Sequence, residues 1–77
     1  MKKQTVEERV IRVFNEQMVV AATSKSTLEQ MDVDSLDAVE IIMALEEEFE
    51  VMVSDEEWEG FKTVQQYIDL IEGKVKA

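Results

Sequence analysis

Residues 34–49 read DSLDAVEIIMALEEEF, and the way this stretch winds decides the fold. Asp34, followed three residues later by Asp37, is a variant capping box, in which side-chain acceptors satisfy backbone donors left free at a helix start. From there the apolar residues recur at helical spacing, and the pattern predicts a helix over residues 35–51. At about 100° per residue, Ala38, Ile41, Ile42, Leu45 and Phe49 share one arc, the expected core face. Leu36, Val39 and Met43 fall on the opposite side, interleaved with Glu40, Glu47 and Glu50. A helix with one buried face has no use for this second stripe. Single exposed apolar residues are common, but three in a contiguous strip bordered by acids read as a surface for a partner. Met43 adds adaptability to such a surface.

Moving outward, the same start signal recurs at Thr5 with Glu8, at Ser54 with Glu57 and at Thr63 with Gln66. A first helix is expected over residues 6–22, with a core stripe of Val6, Val10, Val13, Phe14 and Met18. A short third helix over residues 55–59 is expected to stop at Gly60, which tolerates positive φ. The last helix carries its stripe at Val64, Tyr67, Ile68, Ile71 and Val75, with Gly73 marking its fraying or end. Residues 23–33, TSKSTLEQMDV, form the only long connection, and STLEQ has room for a helical turn. No alternation long enough to build a sheet appears. The class is all-α, with three longer helices and a short third one.

Composition narrows the chemistry. With 77 residues the chain is one expected domain with a thin core. There is no cysteine and no histidine, which removes disulfides, thiolate nucleophiles, cysteine-bound zinc and the usual general base. Lys2 and Lys3 precede no apolar run of signal-peptide type, and nothing approaches the roughly eighteen apolar residues of a membrane span. A cytoplasmic protein without stable membrane insertion is expected. The net charge is −10, and residues 26–61 hold thirteen acids and no base, while the remainder has five acids and eight bases. Such a field repels nucleic acid and favours basic protein surfaces. A solvated acidic face that merely aids solubility is the plainer alternative.

Ser35 stands among these acids with nothing near it to take its proton. As a nucleophile it fails, since neighbouring carboxylates raise the cost of an alkoxide. A calcium loop fails as well: Asp32 and Asp34 suit its first positions, but Leu36 and Asp37 stand where a ligand and the glycine belong, and Met43 replaces the final glutamate. Two readings remain. Ser35 is either a helix-start residue in the first turn after Asp34, or a hydroxyl acted upon by another protein, able to carry a phosphate ester where free backbone donors tolerate an anion.

Residues 34–73, DSLDAVEIIMALEEEFEVMVSDEEWEGFKTVQQYIDLIEG, resemble the second half of a bacterial-type, free-standing acyl carrier protein, and TVEERV at residues 5–10 resembles its first helix. The resemblance covers nearly the whole chain apart from the connection before Asp34, and its D-S-L motif followed by ALEEEF is highly specific. It implies a four-helix acyl-carrier-type bundle over residues 1–77, with residues 1–4 as a tail, and no enzymatic activity of its own. It also implies that Ser35 of the Asp34-Ser35-Leu36 attachment motif receives 4′-phosphopantetheine from coenzyme A, and that the arm's thiol carries acyl groups for fatty acid or related acyl and polyketide biosynthesis. Leu36, Asp37, Val39, Glu40, Met43 and Glu47 become the recognition face. The implied partners are a phosphopantetheinyl transferase and acyl-handling synthases, reductases and acyltransferases with basic docking patches, meeting a monomeric carrier. Ile42, Leu45, Phe49, Val53, Phe61 and Ile68 become liners of an acyl shelter; no metal site is implied. The chain departs from the family pattern in four places: MDV replaces the usual glycine before D-S-L, the first loop is shorter, Ser54 replaces a common proline, and Trp58 and Gly60 mark the third helix. An unmodified acidic adaptor with the same fold is the alternative.

Overall fold

Every expected helix start is built in the computed structural model, which describes residues 4–76. The elements are α1 (Val6–Met18), α2 (Ser35–Phe49), α3 (Asp55–Trp58) and α4 (Val64–Lys76). Thr5 Oγ1 accepts from the Glu8 amide at 3.1 Å while Glu8 accepts from the Thr5 amide at 3.3 Å. Thr63 and Gln66 exchange the same pair of bonds. At α3 the Glu57 carboxylate accepts from both the amide and the hydroxyl of Ser54, and the Glu57 amide donates to the Ser54 carbonyl. Of the expected tail, residues 1–3 lie outside the described residues, and Gln4 accepts a hydrogen bond from Arg12 at 2.9 Å.

Four helix ends differ from expectation, the short third helix only by one residue, since it stops at Trp58. The first helix stops at Met18, four residues early, because Val19 turns left-handed (φ 53) and the Asn15 side chain accepts from the Ala22 amide at 2.7 Å, folding the chain back. A β-branched residue in that region is unusual, and Val19 is almost fully exposed. The second ends at Phe49, since Glu50 is also left-handed and the Val51 amide returns to the Glu46 carbonyl. Gly73 does not end the last helix, which continues to Lys76 with Lys74 and Lys76 in its final turn, where cations suit the helix dipole. Val75, expected in the core stripe, is exposed. Gly60 does take positive φ (82°), as anticipated.

The core is formed by the predicted faces: Val10, Val13 and Phe14 from α1, Ala38, Ile41, Ile42 and Leu45 from α2, Val53, and Val64, Tyr67, Ile68 and Ile71 from α4. The first helix packs against both α2 and α4, and α3 rests on α4. Tyr67 is the hub, meeting Phe14 and Phe61 edge-on at 5.2 and 5.1 Å between ring centres. Burial pushes its phenol up to about 12. Outside the core, Arg9 and Arg12 of α1 both reach one carboxylate oxygen of Glu48 on α2, at 2.9 and 2.8 Å. Arg9 also donates to the Glu48 carbonyl and lies 4.3 Å over the Phe49 ring. This clasp closes the α1–α2 seam at the end remote from Ser35. Hydrogen bonding from Arg9, followed by attraction from both guanidinium groups against an opposing desolvation, holds the Glu48 carboxyl below its usual value.

Candidate functional site

The position of Ser35 follows from Asp34. Asp34 is extended (φ −94, ψ −175), and its carboxylate accepts from the Asp37 amide at 2.9 Å while Asp37 accepts from the Asp34 amide at 3.3 Å. Helical winding therefore begins at Ser35, which is exposed and whose hydroxyl enters no hydrogen bond among the described residues. The connection leading to it is more ordered than its sequence promised. Thr27 and Gln30 form a fifth reciprocal box, at 3.0 and 3.1 Å. Leu28 donates to the Lys62 carbonyl and Val64 to the Ser26 carbonyl, so the loop is lashed to the turn before α4. Asp32 adopts φ 57, a region that aspartate tolerates better than most residues. The left-handed residue that a glycine provides most easily is thus supplied two positions before the Asp34 cap without one.

Beyond Ser35, the two faces of α2 separate as expected. Leu36, Val39 and Met43 are 75%, 42% and 61% exposed, whereas Ala38, Ile41, Ile42 and Leu45 are buried. Glu40, Glu47 and Glu50 flank the exposed strip. Four cations among the described residues are committed elsewhere: Arg9 and Arg12 to Glu48, Arg12 also to Glu16, Lys74 to Glu57 at 2.6 Å, and Lys76 to Glu72. Among the described residues, Asp37, Glu40, Glu47, Glu50, Asp55, Glu56 and Glu59 have no basic partner within salt-bridge distance. The acids beside the apolar strip therefore remain available to a foreign positive charge.

Two shallow clefts border the start of α2. One is lined by Thr27, Leu28, Glu29, Asp32, Val33, Phe61 and Lys62. The other, of about 470 Å³, lies between α2 and α3 and is lined by Val39, Asp55, Trp58, Glu59 and Gly60. Trp58 is half-buried, and its indole Nε1 is shielded from water with no hydrogen-bond partner. Of the six expected shelter residues, Ile42, Leu45 and Ile68 lie in the main core, Val53 is at its edge, and Phe61 is half-buried against Tyr67. Phe49 is likewise half-buried against the core, with Arg9 of α1 over its ring. Sequence reasoning missed the Thr27–Gln30 box, although T-x-x-Q is the same signal used elsewhere, and it missed the Arg9–Glu48–Arg12 clasp, which joins residues over thirty positions apart. No group of three or more His, Cys, Asp or Glu side chains gathers as a metal site among the described residues, and none of the described helices is long and apolar enough to cross a membrane.

Residues 6–71 match the family model described as "Phosphopantetheine attachment site". The fold is similar to that of the crystal structure of an acyl carrier protein from Thermotoga maritima, with a TM-score of 0.75 and 24% sequence identity over 88% of this chain and 84% of that one. That likeness confirms the all-α, acyl-carrier-type bundle.

Proposed function

This chain belongs to the phosphopantetheine attachment family, with 4′-phosphopantetheine as its covalent prosthetic group, and from that premise we propose that it is a free-standing acyl carrier protein modified at Ser35. The observation that carries this reading is the exposed, unengaged Ser35 hydroxyl at the head of α2, from which an exposed apolar strip and a row of unpaired acids run away together. The prosthetic group fits what is there. Ser35 offers an accessible oxygen, the first-turn amides favour its phosphate, and one turn further along a cleft lined by Val39 and Trp58 lies between α2 and α3.

The chain's own residues do not activate Ser35. In the transfer, its oxygen forms the new phosphodiester bond as the pyrophosphate linkage of coenzyme A breaks, the nucleotide half leaving and the hydroxyl proton passing to a base on the transferase. The arm then supplies the thiol on which acyl groups travel. Asp34 and Leu36 present the serine, Asp34 by capping and Leu36 by offering apolar surface. Leu36, Asp37, Val39, Glu40, Met43 and Glu47 dock the transferase and the acyl-handling enzymes of fatty acid or related pathways through their basic patches. Contact of this kind is weak, fast and salt-sensitive, and tethering makes up for low affinity by raising local concentration. Ile42, Leu45, Phe49, Val53, Phe61 and Ile68 provide the apolar interior toward which an acyl chain turns from water.

The test is intact-mass spectrometry before and after incubation with coenzyme A, magnesium and a broad-specificity phosphopantetheinyl transferase. One arm mass gained by the wild type and none by Ser35→Ala is the expected result. No gain, with a transferase proven on another carrier, would leave an unmodified acidic adaptor as the better account.

A further inference from the structure

The chain holds no cysteine, so the softest nucleophiles that the polypeptide itself offers to an oxidant are its methionine thioethers. Four of the five methionines lie among the described residues, and the fold sorts them into two pairs. Met18 and Met31 are half-buried against the core. Met43 and Met52 are 61% and 84% exposed. These two exposed sulfurs differ in place. Met52 follows α2, in the connection to α3. Met43 lies within the apolar strip of α2, four residues after Val39 and seven after Leu36, spacings that share one side of a helix.

The strip serves a partner by being apolar. Leu36 and Val39 are hydrocarbon and inert to a peroxide, so Met43 is the member of the strip whose polarity can be reset without a change of sequence. Conversion of its thioether to a sulfoxide places a polar oxygen in the strip. In the free protein that oxygen is hydrated and costs the fold nothing. In a docked complex it must lose its water or hold the partner's apolar surface away. Its helix neighbours offer no relief: Glu40 and Glu47, three residues before and four after, are acceptor-only carboxylates with nothing to donate to it. The same acids, which have no basic partner among the described residues, repel anionic oxidants and leave the approach to an uncharged peroxide.

We propose that Met43 is a reversible oxidation site through which an uncharged peroxide turns the docking face off. This inference rests on the docking role of the α2 strip. In the forward step a sulfur lone pair attacks the hydroxyl oxygen of the peroxide, and the S–O bond forms as the O–O bond breaks. The proton of the transferred hydroxyl passes to the departing oxygen, which leaves as water or an alcohol. Sulfur gives up two electrons and the peroxide takes them. In return a methionine sulfoxide reductase removes the oxygen as water while two thiols become a disulfide. Met52 reacts equally well but lies off the strip, so its oxidation is silent.

The experiment uses the full-length apo protein, in which no arm thiol competes for the oxidant. Hydrogen peroxide is added and then destroyed with catalase, peptide mapping locates each sulfoxide, and loading of Ser35 is followed by intact mass at subsaturating carrier. Every variant is scored against its own untreated sample. Met43 and Met52 should oxidise before Met18 and Met31, and loading should then slow by about 5- to 30-fold, the loss of one covered apolar side chain, with Tm almost unchanged. Treatment with the reductase should restore the rate. Met52→Leu should keep the response to peroxide and Met43→Leu should abolish it. Unchanged loading of protein whose map proves Met43 oxidised overturns the proposal, as does a response that persists in Met43→Leu. A map with Met52 converted and Met43 untouched also overturns it, and so does a Tm that falls together with the rate, because oxidation then damages the fold. Leu36→Ala, run alongside, separates these failures from failure of the docking reading. If it loads slowly, the docking face stands without its switch; if it loads at the wild-type rate, both readings fall.

Discussion

Replacing Leu36 by alanine and replacing Leu45 by alanine remove the same atoms from one helix, yet the two changes should fail in opposite ways. Fully burying a leucine side chain is worth about 1.5–3 kcal/mol. Leu36 is 75% exposed in the free protein, so most of that sum is gained only when a partner covers it. Allowing for the carbon that alanine retains, Leu36→Ala should lose roughly 1–2 kcal/mol of docking free energy, or about 5- to 30-fold in kcat/KM for loading of Ser35, with Tm almost unchanged. Leu45 is fully buried, and its truncation should cost about 2–5 kcal/mol of folding free energy. Against the roughly 4–12 kcal/mol expected for a domain of this length, that lowers Tm by about 10 °C or more. Well below the melting transition, Leu45→Ala should still be loaded at close to the normal rate. The assay pairs thermal denaturation with mass-detected loading at subsaturating carrier. A Leu36→Ala protein that melts normally and loads at the wild-type rate would refute the assignment of this strip to docking. A large fall in its Tm would show that Leu36 supports the fold instead.

The Arg9–Glu48–Arg12 clasp yields a pH prediction. The Glu48 carboxyl is held below its usual 4.5, first by the hydrogen bond from Arg9, so its contribution is fully present above that value and disappears as pH falls through the lowered folded one. Glu48→Gln should cost about 1 kcal/mol near neutrality, tempered by the partial exposure of both arginines, and the two denaturation curves should draw together below about pH 4.5; a gap that stays constant with pH counts against the clasp. The two glycines should respond with opposite sign. Gly60→Ala is expected to destabilise by about 1 kcal/mol because φ is +82°, and Gly73→Ala to stabilise by up to about 1 kcal/mol because the residue is helical with open space at its Cβ; urea melts that show both changes with the same sign would contradict these backbone assignments. Finally, the acids left without basic partners around α2 and α3 should repel one another, so Tm should rise with added sodium chloride and more steeply with magnesium, and a flat titration would remove the argument for a strained acidic face.

Most of the fold was legible because its signals are local. Each capping box links residues three positions apart, and the α2 wheel separates its buried face from its exposed strip before any neighbour is known. Ser35 could be singled out by the same logic, being the first helical residue after a cap in a run without a base. The failures also have local appearances and distant causes. Residues 19–22 read as more helix, but the Asn15 side chain captures the Ala22 amide and reverses the chain. Gly73 read as a stop, but the last turn of α4 is anchored by Lys74 to Glu57 on another helix. Phe49 read as a core-face residue by its arc on α2 and does pack against the core, while Arg9 of α1 also lies over its ring, a contact that its spacing could not show.

What the amino-acid order determined by itself was therefore the set of helices, the face each one buries, the acidic field and the serine at the head of α2, because periodicity, capping and charge act over a few residues. Only the tertiary structure decided which charges are spent and which stay available, since ion pairs join residues remote in the chain. It likewise brought Trp58 of α3 and Val39 of α2 to the lining of one cleft, a relation between two helices that no spacing along one chain can encode.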